Sequence, residues 1–78
     1  MAPKRVVYHV EPREGGQWAT QRSGTSRAAS VSDNKSDAIA EARRLAQQHP
    51  LGQVKIHGED GRIEREYTYG EDPGRTRG

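Results

Sequence analysis

The sequence predicts an α+β domain in which a small antiparallel sheet carries one amphipathic helix on one face, in the order β-β-β-α-β-β. Three observations predict it. Residues 5–11, 17–22, 53–57 and 62–67 alternate apolar and polar side chains and are rich in β-branched and aromatic types. Between Asn34 and Gln48 the apolar spacing changes from that of a strand to that of a helix. Clusters of glycine, proline, serine and aspartate fall between these segments, where turns belong.

The first strand, Arg5 to Glu11, alternates Val6, Tyr8 and Val10 onto one face and Arg5, Val7, His9 and Glu11 onto the other. Pro12 has no N–H to give a ladder, so Pro12 to Gly16 reads as a turn. In the second strand, Gln17 to Arg22, Trp18 is the inward residue. The chain has only four aromatic residues, so its tryptophan belongs in the core before it belongs on a base-stacking surface. Ser23 to Ser26 is a second turn and Arg27 to Val31 a short third strand. Asp33 is the expected helix N-cap, and Asp37 lies where a carboxylate favours the helix dipole. Ala38, Ile39, Ala42, Leu45 and Ala46 form one apolar stripe, whose alanines let the helix axis lie close to the sheet. Pro50 and Gly52 end the helix, with His49 favourably placed at its C-terminal dipole.

Asp60-Gly61 is a two-residue turn signal joining the last two strands into a hairpin. That register sets Glu59 opposite Arg62, His57 opposite Glu64 and Lys55 opposite Glu66, three complementary pairs. It also puts Val54, Ile56, Ile63 and Tyr67 on one face. Residues 1–69 therefore read as a single domain, and 70–78, with three glycines and no large apolar residue, as a disordered tail.

A chain of 78 residues supports one domain with a compact core. Its 29% apolar and 31% charged residues lean towards disorder, but the apolar ones sit at strand and helix spacings, which argues for a folded body. The absence of cysteine excludes disulfides and thiolate-bound zinc and fits a reducing compartment. No apolar run approaches a membrane span, and Met-Ala-Pro-Lys-Arg leads straight into a strand rather than a signal segment. A cytoplasmic location without membrane attachment is the expectation.

Nothing in the pattern announces an enzyme. No Gly-x-Ser-x-Gly elbow is present, and Gly15-Gly16 joins two strands rather than a strand and a helix, so it is no phosphate loop. The serines lie in turns or flank the helix cap, where small hydroxyls serve the backbone. His9, His49 and His57 have no local spacing that pairs any two of them, and His57 near Glu59 and Asp60 reads as a charged hairpin tip. No catalytic residue, cofactor, metal site or small-molecule substrate is expected.

Charge supplies the remaining signal. The net charge is +2, and residues 1–29 carry five basic groups against two acidic ones. An anionic partner should therefore meet the first three strands. Arg5, Arg13, Gln21, Arg22 and Arg27, on the polar face and its turns, are the candidate DNA- or RNA-binding residues, suited to phosphates and base edges. The competing reading is a protein-interaction or self-associating module acting through exposed strand edges.

A longer pattern runs through the chain: Tyr8-His9-Val10-x-Pro12, Gly15-Gly16-x-Trp18-Ala19, Arg27-Ala28-x-Ser30, Asp33-x-Lys35, His57-Gly58-x-Asp60-Gly61-Arg62-Ile63 and Tyr69-Gly70-x-Asp72-Pro73. It resembles the small bacterial proteins grouped as domain of unknown function 2188, over about Tyr8 to Pro73. The resemblance implies no activity. Two departures are Thr20, where a β-branched apolar residue is expected, and an extra Gln17 before the tryptophan. A looser likeness, carried by strand order and the helix start Ser32 to Asp37, is to the arm-binding domains of phage-type integrases, which implies a sheet presented to the DNA major groove.

Overall fold

The computed structural model describes residues 4–70. Most of the expected tail therefore lies outside the described residues. Strands β1 (Val6–Pro12), β2 (Trp18–Arg22) and β3 (Ala28–Ser32) are followed by helix α1 (Lys35–Gln47) and strands β4 (Gly52–His57) and β5 (Ile63–Tyr69). A single 3-10 turn, Glu14–Gly16, joins β1 to β2.

The five strands form one sheet in the order β3-β2-β1-β4-β5. The helix lies on one face and the other face is open. The sheet itself departs from expectation: it is mixed rather than antiparallel, because β4 runs parallel to β1 while the other neighbours are antiparallel. The cause is directional. Two hairpin reversals leave β3 running the same way as β1, and the helix then carries the chain back. β4 starts again in the direction of β1, and parallel neighbours need such a helical crossover. β1 thus lies at the centre with β4 beside it, Val6 next to Gly52, Tyr8 next to Val54 and Val10 next to Ile56.

The core forms where these central strands meet the helix. Ala38, Ala42 and Ala46, one helical turn apart, are fully buried against Tyr8, Val10, Trp18, Val54 and Ile56. Ile39 and Leu45 flank that ridge, half-buried. The small ridge lets helix and sheet come so close that a Cβ on Gly52 would overlap the Ala46 carbonyl. Only glycine fits there. Thr20, the departure noted above, is fully buried, and its hydroxyl donates to the Ala38 carbonyl at 3.1 Å. It is β-branched as the site requires, and its polar atom is satisfied. Lys35 bridges three elements: its ammonium lies 5.0 Å from the Trp18 ring centre and pairs with Glu64 on β5. At the other end of the helix, Arg43 donates to the Tyr69 hydroxyl at 2.8 Å and lies over the Tyr67 ring.

Three local expectations are corrected. The helix N-cap is Asn34, not Asp33: its side-chain oxygen accepts the Asp37 N–H at 2.8 Å, and its amide donates back to the Asp37 carboxylate. His49 does more than face the dipole, since its Nε2 lies 3.1 Å from the Tyr8 hydroxyl. The last hairpin closes through three residues, Glu59, Asp60 and Gly61, with Gly58 N–H bonded to the Arg62 carbonyl at 2.7 Å. Gly61, at φ 87°, supplies the left-handed residue such a loop needs. A bulge between Ile56 and His57 then restores the register, so Lys55 does face Glu66 but His57 faces Ile63. Ile63 accordingly moves to the open face, 47% exposed, instead of joining Val54, Ile56 and Tyr67.

Candidate functional site

On the open face the parallel register of β1 and β4 sets His9 beside Lys55. One step further along, Glu11 comes beside His57. The consequence is a contact that no local spacing announces: His9 Nδ1 lies 2.9 Å from His57 Nε2, with the rings 5.2 Å apart. One ligand atom from each of His9, Glu11 and His57 falls within 4.8 Å of the others. Local spacing gave no sign of this pair; the tertiary register of β1 and β4 makes it.

The proton positions follow from the partners. His57 Nδ1 lies 3.1 Å from the Gly61 carbonyl, which can only accept, so Nδ1 carries the hydrogen. Neutral His57 therefore offers the lone pair of Nε2, and His9 donates its Nδ1–H to it. Partial burial depresses the His9 pKa below its ordinary value; a charge on His57 and the Lys55 ammonium add to this, while Glu11 opposes it. The Gly61 contact exists because the three-residue loop turns that carbonyl back over the end of β4.

His9 and Glu11 also line a shallow polar cleft of about 250 Å³ with Gln21, Arg22, Ser23, Gly24 and Thr25. The β2–β3 turn that walls it is held internally. Ser23 N–H bonds to Val7, Gln21 donates its amide to the Thr25 carbonyl at 2.6 Å, and the Thr25 hydroxyl lies 2.7 Å from the Arg22 carbonyl.

The five residues chosen from charge and spacing do not form one patch. Arg22 and Arg27 are exposed at the β2–β3 turn, and the pairing of Tyr8 with Arg22 brings that turn beside the start of β1 and Arg5. Arg5 itself reaches the Gly52 carbonyl at 3.5 Å. Arg13 lies at the opposite end of β1, five residues or roughly 17 Å of strand from Tyr8. Gln21 is on the open face, but its amide is occupied within the turn. The middle of the face is of mixed charge, carrying Glu11, Lys55 and Glu66. Basic groups gather at one end of the sheet.

A helix covering one side of a mixed five-stranded sheet, with a polar, histidine-bearing open side, defines a small α+β domain, and none of its described helices is long and apolar enough to cross a membrane. The chain belongs to the family of uncharacterised proteins conserved in bacteria known as DUF2188, whose family model matches residues 8–69. No curated protein and no solved structure shows significant similarity to it.

Proposed function

We propose that the chain is a non-enzymatic nucleic-acid-binding module that holds phosphates at the end of the sheet where β1 begins. The observation that supports this most directly is the gathering of Lys4, Arg5, Arg22 and Arg27 at that end, two of them brought there by the Tyr8–Arg22 register. The guanidinium groups of Arg22 and Arg27 form no ion pair among the described residues, and both residues are exposed. Phosphate contacts of this kind position a strand without reading its sequence. Arg13 lies outside this group, and Gln21 shapes the turn that presents Arg22.

Titration of generic duplex DNA at several salt concentrations tests the reading. Affinity falls with salt by a slope of about 0.9 per phosphate neutralised, and the double variant Arg22→Glu/Arg27→Glu lowers that slope by about two. Both residues are exposed, so the fold is kept. Absence of binding to duplex or single strands at about 50 mM salt overturns the proposal. A second reading, self-association, rests on β5, a seven-residue edge strand with Ile63 exposed. Its flanking charges, Glu64, Arg65 and Glu66, are of the kind that discourage edge pairing, so it stands second. Sedimentation as a monomer at all concentrations removes it.

A further inference from the structure

We propose that His9, Glu11 and His57 together bind one divalent transition-metal ion of the zinc class on the open face of the sheet. The inference stands apart from the nucleic-acid reading, and its test contains no nucleic acid.

Two imidazoles and one carboxylate are the donor set that borderline divalent ions such as Zn²⁺ select, and three protein ligands leave a position for water or a further ligand. The donor atoms are already close. Metal–ligand bonds of about 2.0–2.2 Å at tetrahedral angles require ligand atoms about 3.3–3.5 Å apart. The two ring nitrogens stand at 2.9 Å, and all three ligand atoms lie within 4.8 Å. Small side-chain rotations suffice. The ligands project from β1 and β4, adjacent interior strands that are each paired on both sides, which steadies the backbone that carries them.

For His57 the hydrogen bond behind the ligand is also in place. Metal-bound histidines donate their other ring N–H to a carbonyl or carboxylate, which fixes tautomer and orientation. His57 does this with the Gly61 carbonyl at 3.1 Å, so Nε2 faces the cluster with its lone pair. His9 needs one change. Its Nδ1 hydrogen, which bridges to His57, leaves, and a proton is taken up at Nε2, so the ring stays neutral and the net proton count is unchanged. Glu11 contributes one negative charge. Lys55 beside His9 opposes the ion, and Glu66 opposite Lys55 offsets it. His9 and Glu11 border the polar cleft, so a further ligand on the metal can enter from that side.

The experiment uses the full chain without any histidine tag, stripped with chelator and titrated with Zn²⁺ by calorimetry. Saturable one-to-one binding is expected. Long-range ¹H–¹⁵N spectra of the histidine rings should show His9 passing from the Nδ1–H to the Nε2–H tautomer as zinc is added, with His49 unmoved. His9→Gln and His57→Gln should each weaken binding by roughly 100-fold or more, beyond the usual cost of losing a group that only hydrogen-bonds to a ligand. His49→Gln, which removes the one histidine outside the cluster, should bind as the parent does. Backbone amide spectra establish that each variant is folded, and the tautomer change in the parent chain is read without any variant. Absence of saturable binding up to about millimolar Zn²⁺, or binding unaffected by His57→Gln, or an unchanged His9 tautomer at saturation, overturns the proposal.

Discussion

Thr20 shows how one polar atom can fasten a helix to a sheet. Its β-branched body fills the place of a valine among Val10, Trp18 and Ala38, and its hydroxyl reaches the first turn of α1. Thr20→Val keeps the shape but removes that bond, so unfolding by urea should show a loss of about 1 kcal/mol. His9 yields a second expectation, for the chelator-treated protein. Its folded pKa is depressed by burial, then by charge on His57 and Lys55, against Glu11, while the unfolded ring titrates near the ordinary 6.5. Just below that value the unfolded chain binds more protons than the folded one, so stability falls with falling pH. The contribution is complete above pH 6.5 and lost as pH drops through the lower folded value. Urea midpoints compared at pH 7.5 and 5.5 should differ less in His9→Gln than in the parent. Neither the pair nor its shift was legible from spacing, because His9 and His57 lie 48 positions apart and meet only through tertiary register.

The helix and the hairpin show what sequence patterns resolve at the level of elements. The apolar stripe from Ala38 to Ala46 was legible, since a helix must bury a face of fixed period. The cap was not, because Asp33 and Asn34 are both good capping types and only backbone conformation selects between them. Asn34, at φ −149° and ψ 165°, is the residue that flanks the first turn. Asn34→Ala should therefore cost about 1 kcal/mol and Asp33→Ala little, measured by thermal or urea unfolding. Charge pairing across the hairpin placed Lys55 against Glu66 correctly. Nearer the tip it failed, because the Gly61 loop takes three residues and a bulge absorbs the difference. That shift exposes Ile63, frees Glu64 for Lys35 and turns the Gly61 carbonyl towards His57.

For the molecule as a whole, the number of chain reversals decided the sheet. Counting them from β1 through the helix makes β4 parallel to its neighbour β1, an outcome contained in the element order once β4 is placed beside β1. Charge asymmetry along the chain was legible too, but charge along a sequence is not charge on a face. Alternation and turns sent Arg5, Arg22 and Arg27 to one end of the sheet and Arg13 to the other, and left mixed charge along its open side. A metal bridging β1 and β4 binds the folded chain alone, so Zn²⁺ at about 100 times its dissociation constant should raise unfolding free energy by about 2.7 kcal/mol. A melting temperature that ignores zinc concentration contradicts this.

The position of β1 at the centre of the sheet also bears on the order of assembly. Its partner on one side, β2, follows it almost at once, but its partner on the other, β4, begins at Gly52, 46 positions after Val6. During synthesis the first three strands leave the ribosome with one side of β1 unmatched, its carbonyls and amides facing water. The helix has only part of its sheet to cover until Val54 and Ile56 arrive. Closing so long a loop before its contacts form is slow compared with zipping a hairpin. Pairing the fourth strand with the first is therefore the sheet contact that closes the longest stretch of chain.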